Sequence, residues 1–205
     1  MLDDRPPIRT RDGHDSRSHE GALRNLSYIR DTMERSASFT AVPGWGGVAI
    51  GIVGFAAAAI ASMQPNSRLW LVTWASAALV ALAITVFATI KKARKLGIPL
   101  SSGAGRKFTI GMAPSLFAGT VLSAVFYQHG IPAELPAVWL LLYGAGVVTA
   151  GITSVPVIRV MGVFFMALGT IAFLSPTEWG DGFMALGFGG LHLVFGVIII
   201  RKYGG

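Results

Sequence analysis

LWLVTWASAALVALAITVFATI, residues 69–90, decides the fold class of this chain, because it is an unbroken apolar stretch without a charged residue. A helix needs about 20 predominantly apolar residues to cross the hydrocarbon of a bilayer. The cationic sequence KKARK follows at once, at residues 91–95. A long apolar stretch that ends in a cluster of cations is typical of a membrane-spanning helix with one end in water.

Five further apolar stretches have similar lengths, and most of the connections between them are short. Only 13% of the 205 residues are charged, whereas soluble domains carry about a quarter. The sequence therefore predicts an all-α, polytopic membrane protein with a six-span transmembrane domain at residues 43–205. The predicted spans are residues 44–63, 69–90, 108–127, 136–152, 156–174 and 182–200.

The distribution of basic residues predicts the orientation, because Lys and Arg near span ends stay in the cytoplasm. With the N-terminus inside, every Lys and Arg except Arg68 falls on the cytoplasmic side. Both termini are then cytoplasmic. The loop at residues 91–107 contains no acid, and its cations are candidate contacts for anionic lipids of that face: Lys91, Lys92, Arg94, Lys95, Arg106 and Lys107. The net charge of +7 is explained by these cations that set the topology. The sequence contains no recognition module for nucleic acid, so we expect no nucleic-acid partner.

Two segments precede the first span. Residues 1–20 are polar and mixed in charge, which predicts a disordered cytoplasmic tail. Residues 21–42 place apolar side chains at helical spacing and predict a juxtamembrane amphipathic helix; the stripe comprises Ala22, Leu26, Ile29, Met33 and Ala37. Such a helix either lies on the membrane surface or docks a partner protein.

The stretch GFGGLHLVFG, residues 187–196, carries a histidine in the middle of the last predicted span. In a continuous α-helix, Asp181 and His192 share a face, because eleven residues make about three full turns. Gly189 and Gly196 fall on the same face. We therefore expect a close-packing face of small residues from which His192 points into the bundle, as polar groups in membranes usually do.

His192 has two interpretations. In the first, the neutral imidazole joins helices by a hydrogen bond to a carbonyl or hydroxyl on another span, the candidates being Tyr143, Thr149, Thr120 and Ser123. In the second, it lines a polar cavity and takes up a proton during transport. The candidate intramembrane polar site comprises His192, Tyr143 and Asp181.

Signatures of catalysis and of cofactor binding are missing from the sequence. There is no H-E-x-x-H, no G-x-S-x-G and no cysteine. His129, Glu134, Glu178 and Asp181 lie on two separate connections without the compact spacing of a metal site. We therefore expect neither an enzyme nor a bound metal or other cofactor.

MERSASFTAVPGWGGVAIG, residues 33–51, and LGFGGLHLVFG, residues 186–196, resemble a group of uncharacterised bacterial six-span membrane proteins. The group has no established activity, so the resemblance brings no catalytic or binding residues. It implies a single domain in a bacterial inner membrane. The leading hypothesis is a non-enzymatic sensing, scaffold or regulatory subunit that acts through a protein partner or through further copies of itself. The alternative is a small-solute or proton-linked transporter or channel with His192 in the path.

Overall fold

A computed structural model of the chain describes residues 42–96 and 103–203, together with Gly21, Leu23, residues 25–29 and Met33. Contacts divide the chain into two units, Met1–Ala37 and Ser38–Gly205. The predicted tail at residues 1–20 lies outside the described residues. The described residues of the smaller unit are helical, and three residues of the predicted stripe, Leu26, Ile29 and Met33, are exposed. Ala22 and Ala37 lie outside the described residues.

The described part of the larger unit is all-helical and contains six helices long and apolar enough to cross a membrane. This confirms the predicted fold class at that level. The helices are α1 Gly44–Ala61, α2 Ser67–Leu96, α3 Gly103–Gln128, α4 Leu135–Gly151, α5 Pro156–Phe173 and α6 Thr177–Tyr203. A short 3-10 turn, Pro132–Glu134, leads into α4. α2 extends beyond its predicted span because residues 91–96 are Lys, Ala, Arg and Leu, all good helix formers.

The two ends of the bundle differ in charge. At the end called here the basic end, the start of α1 meets the ends of α2 and α6, since the Lys92 Nζ donates to the backbone oxygens of Val42 and Tyr203. At the opposite end, called the acidic end, the Trp70 Nε1 of α2 donates to the Asp181 Oδ1 of α6. The acidic end carries Arg68 and the three acids of residues 42–96 and 103–203, which are Glu134, Glu178 and Asp181.

Glycines bring α1 and α6 into backbone contact. A Cβ on Gly47 would lie 3.1 Å from the Cα of Gly196, and one on Gly51 would lie 2.8 Å from the oxygen of Gly189. In a bilayer, helices gain little from hydrophobic association, so close packing of small residues contributes much of the attraction. The first and last helices are therefore direct neighbours.

α4 and α5 pack in the same way. A Cβ on Gly144 would lie 2.8 Å from the oxygen of Gly162, and a Cβ on Gly162 would lie 2.8 Å from the oxygen of Gly144. Leu140 and Phe165 on these two helices are fully buried. They form the main hydrophobic core together with Met161 of α5 and with Met184 and Phe195 of α6.

The last helix is not a uniform α-helix. Within α6, a 3-10 turn at Thr177–Trp179 and an α-helical turn at Gly180–Met184 precede a π-helical segment at Ala185–Leu191. The α-helix resumes over His192–Tyr203. A π segment closes its hydrogen bonds over five residues, so its turn is wider than that of an α-helix. Gly54 of α1 makes room for it, because a Cβ there would lie 2.5 Å from the carbonyl carbon of Phe188.

Candidate functional site

Tyr143 and His192 form a buried polar pair between α4 and α6. The Tyr143 Oη lies 2.8 Å from the His192 Nε2, and only 4% of His192 is exposed. His192 is the residue at which α6 returns from π-helical to α-helical geometry. The pair therefore joins α4 to the one part of α6 where the helix changes its winding.

Two phenylalanines enclose the pair. The ring centroid of Phe165 lies 4.9 Å from that of Tyr143 and 5.4 Å from that of His192. Phe188, from the π segment, stacks on His192 at 6.1 Å with an angle of 15° between the rings. Its centroid lies 5.0 Å from that of Tyr143 in an edge contact. Offset and edge-on ring contacts of this kind are favourable, so they fix the orientation of both polar rings.

The two ring nitrogens of His192 have different surroundings. Its Nδ1 atom is buried and has no hydrogen-bond partner among the described residues. A neutral imidazole has one N–H donor and one bare acceptor nitrogen. Tyr143 therefore donates to Nε2 when the proton is on Nδ1, and accepts from Nε2–H when Nδ1 is bare. The backbone groups of Gly187 and Phe188 in the π segment also interact with the imidazole, although without the geometry of a standard hydrogen bond to Nδ1.

Asp181 lies apart from the pair. Its carboxylate accepts the 2.7 Å hydrogen bond from Trp70 of α2. The prediction that Asp181 and His192 share a face assumed a continuous α-helix, and the π segment between them invalidates it. One extra residue in a wider turn rotates the rest of the helix by about 100°.

The small residues expected beside His192 pack against α1. A Cβ on Gly189 would meet the ring of Phe55 in α1, and a Cβ on Gly196 would meet the backbone of Val48 in α1. His192 instead contacts α4 and α5. α6 therefore packs against α1 through its glycines and against α4 and α5 through His192, although Gly196 is only one α-helical turn after His192.

Of the four hydroxyls named as candidate partners for His192, the structure brings Tyr143 to it. The other three donate to the carbonyl four residues earlier in their own helices: Thr120 to Leu116, Ser123 to Gly119 and Thr149 to Ala145. The Ser123 oxygen also accepts from the Trp139 Nε1 at 2.9 Å. Bonds within a helix are a common way for a hydroxyl in lipid to be satisfied.

A row of aromatic rings connects the acidic end to the polar pair. Ring centroids are 6.2 Å apart between Trp70 and Trp74, and 5.9 Å apart between Trp74 and Phe188. The Trp74 Nε1 is buried and has no partner among the described residues. The four-residue spacing of Trp70 from Trp74 and of Phe188 from His192 was a usable signal in the sequence. Phe165 left no such signal, because its contact depends on how α5 packs.

The six candidate lipid-contacting cations divide into two groups. Lys91, Arg94, Lys95, Arg106 and Lys107 are exposed. Lys92 is only 8% exposed, and its ammonium donates to the oxygens of Val42 at 3.0 Å and Tyr203 at 3.3 Å. A cation at the carboxyl end of a helix stabilises the last carbonyls and the helix dipole. Lys92 is therefore placed to hold three helix ends together rather than to face lipid.

Among the residues that the structure describes, no group of three His, Asp or Glu side chains lies together in a way that could hold a metal ion. No family model matches this chain, and neither a curated protein nor a solved structure matches it.

Proposed function

We propose that this chain is an integral protein of the bacterial inner membrane, with both termini in the cytoplasm, that acts without catalysis. In this proposal it is a sensing, scaffold or regulatory subunit that works through a protein partner. The six apolar helices support the location in a membrane. The separation of charge supports the orientation, because the cation-rich end of a membrane protein stays in the cytoplasm.

The observation that carries the partner proposal is the exposed apolar stripe before the first span. Leu26, Ile29 and Met33 are 62%, 52% and 69% exposed, and their spacing puts them on one face of a helix. An amphipathic helix that presents such a face is a common ligand for a hydrophobic groove on another protein. The same face also suits a membrane surface, so the experiment has to separate the two.

The interior of the bundle supports a role without catalysis. Two of its polar pairs join helices to each other, namely Tyr143 with His192 and Trp139 with Ser123. Hydroxyls that do not join helices are satisfied within their own helix, as for Thr149. A general acid or base must itself reach the proton that it transfers on a substrate, and the groups of these pairs are instead bonded to one another.

Co-purification of the tagged protein in a mild detergent tests the proposal, with Leu26→Asp as the disrupting variant and Ser27→Asp as its control. Both change one exposed residue of the same helix to Asp, but Ser27 is off the stripe. We expect one protein to co-purify in fixed stoichiometry, Leu26→Asp to reduce it at least tenfold, and Ser27→Asp to leave it unchanged. Equal effects of the two variants would contradict docking. Docking would also be contradicted if Leu26→Asp weakened the binding of residues 1–38 to lipid vesicles but left the amount of co-purified protein unchanged.

A second candidate function is proton-linked transport of a small solute through His192. The buried Nδ1, which forms no hydrogen bond of standard geometry with the described residues, favours it, because a proton carrier needs a nitrogen that can exchange its hydrogen-bond partner. Proteoliposomes with an internal pH dye test this function against protein-free vesicles. Proton flux that persists unchanged in both His192→Ala and His192→Gln would exclude the histidine from the path.

A further inference from the structure

α2 and α3 follow one another in the chain but pack against different neighbours. α2 packs along α1, and α3 packs along α4. At the basic end the two helices come together, where Ala93 of α2, only 2% exposed, packs with Phe108 of α3 and with Val42. Ala93 therefore marks a level at which this face of α2 is covered by protein.

Farther from the basic end, the same face of α2 is uncovered. Val86, Leu82 and Leu79 precede Ala93 by 7, 11 and 14 residues, so they lie on its face of the helix. They are 49%, 55% and 68% exposed. At 1.5 Å per residue they lie roughly 10 to 21 Å along the axis from Ala93, a distance comparable to the hydrocarbon depth of one leaflet, about 15 Å. We call this face, Val86, Leu82 and Leu79, the open face of α2.

Cations lie next in sequence to both residues of the contact between α2 and α3. Ala93 is next to Arg94, and Phe108 is next to Lys107. The contact between Ala93 and Phe108 therefore brings the cations of α2 close to those of α3; they are Lys91, Arg94, Lys95, Arg106 and Lys107, all exposed. Within residues 42–96 and 103–203, the three acids lie at the opposite end. Among the described residues of this unit, no acidic side chain lies at the basic end to neutralise these cations.

We propose that one phospholipid with an anionic head group occupies the open face of α2. Its phosphate lies among the cations of α2 and α3, and its acyl chains lie along Val86, Leu82 and Leu79. Charge selects the occupant, because a cluster of cations beside an apolar helix face matches a negative head group that carries hydrocarbon. A zwitterionic lipid matches it less well, since its own cation reaches the same cluster. The inference requires the membrane location but not the protein partner.

Native mass spectrometry of the detergent-purified protein tests the proposal, with phosphatidylglycerol and phosphatidylcholine of identical acyl chains as probes. We expect one phosphatidylglycerol to remain bound with at least tenfold higher affinity than phosphatidylcholine. The variant Arg94→Gln with Arg106→Gln removes two cations from the cluster and should abolish the preference. Its control, Arg68→Gln with Arg159→Gln, removes two exposed cations elsewhere and should preserve it. Arg94→Lys with Arg106→Lys should also preserve it and shows that the fold tolerates substitution at both positions.

A second pair of variants tests the place of the acyl chains. Leu82→Trp adds bulk on the open face and should reduce the bound phosphatidylglycerol at least tenfold. Val72→Trp introduces the same side chain at another exposed position on α2, closer to the acidic end, and should have no effect. Equal binding of the two lipids overturns the proposal. Loss of the preference for phosphatidylglycerol in the control variant also overturns it, because binding would then depend on total charge and not on this cluster. Unchanged binding of phosphatidylglycerol to Leu82→Trp overturns it as well, because the acyl chains would then not lie along the open face.

Discussion

Tyr143 and His192 are 49 residues apart in the sequence, and their hydrogen bond joins α4 to α6 at the point where a π segment ends. Phe165 contacts both rings, so α5 takes part in the same junction. Three helices are thus held together by one polar contact and the aromatic rings around it. A polar bond inside an apolar bundle specifies which faces of the helices meet, because any other arrangement leaves both groups unpaired.

The first prediction concerns the strength of this pair. Tyr143→Phe removes the hydroxyl and leaves the Nε2 of His192 without its partner. We expect it to lower the free energy of unfolding by roughly 0.5 to 2 kcal/mol, between the average value for such bonds in membranes and the cost of a buried unpaired group. A double-mutant cycle with His192→Leu measures the coupling in detergent. If the losses of unfolding free energy caused by Tyr143→Phe and His192→Leu simply add in the double variant, the two residues do not interact, and the hydrogen bond is refuted.

The second prediction concerns the π segment. Deleting Gly190 removes one residue from the segment, and a Cβ at this position would meet no atom closer than the Ala185 oxygen at 4.0 Å. The deletion should restore α-helical winding and rotate the two halves of α6 by about 100° relative to each other. Either the hydrogen bond between Trp70 and Asp181 or the one between Tyr143 and His192 must then break. We expect a larger loss of unfolding free energy than Tyr143→Phe causes.

The control for the deletion is Gly190→Ala, which keeps the length of the segment and adds a methyl group in open space. It should change stability by less than about 1 kcal/mol, the range of helix propensity for glycine and alanine. If the deletion were no more costly than this substitution, the π segment would not determine the contacts on its two sides.

The third prediction concerns Lys92. Lys92→Met keeps the aliphatic chain but removes the ammonium from the oxygens of Val42 and Tyr203. Leaving a buried acceptor without a donor costs about 1–3 kcal/mol, and the cost is smaller for these partly buried oxygens. We expect faster hydrogen exchange at residues 44–47 and 200–203, measured by mass spectrometry. Lys91→Met, the exposed neighbour, is the control; equal exchange in the two variants would show that Lys92 is not the connection.

The fourth prediction concerns orientation. The chain has no cysteine, so single cysteines can be introduced without other changes. Thr177→Cys at the acidic end should react with an impermeant maleimide in intact spheroplasts. Lys95→Cys at the basic end should react only after the membrane is broken. Both positions are exposed, so accessibility to the reagent depends on the side of the membrane, and the reverse labelling pattern would invert the proposed topology.

Local patterns were enough to predict the helices but not their winding. Continuous apolar stretches such as residues 69–90 set the number of long helices, because the number of residues that crosses a bilayer is nearly constant. The π segment has no local rule of that kind. It depends on glycines in a different helix, among them Gly54, which leaves room for the backbone of Phe188.

The candidate site could also be predicted only in part from the sequence. Tyr143 and His192 were named because few polar groups occur in the spans, and two such groups in lipid tend to find one another. Asp181 was grouped with them by counting α-helical turns across a segment that is not α-helical. Lys92 was grouped with the lipid-facing cations because its sequence does not reveal that Val42 and Tyr203 converge on it.

The contact between α1 and α6 has a consequence for the order of assembly. These are the first and the last of the six helices to leave the ribosome, and they pack through glycines such as Gly51 and Gly196. Until α6 is inserted, the small-residue face of α1 has only lipid against it, and Lys92 lacks the Tyr203 oxygen. Long-range pairings of this kind form late. Insertion of α6 therefore completes the bundle, and a chain that stops before α6 loses the packing partner of α1 as well as its own last helix.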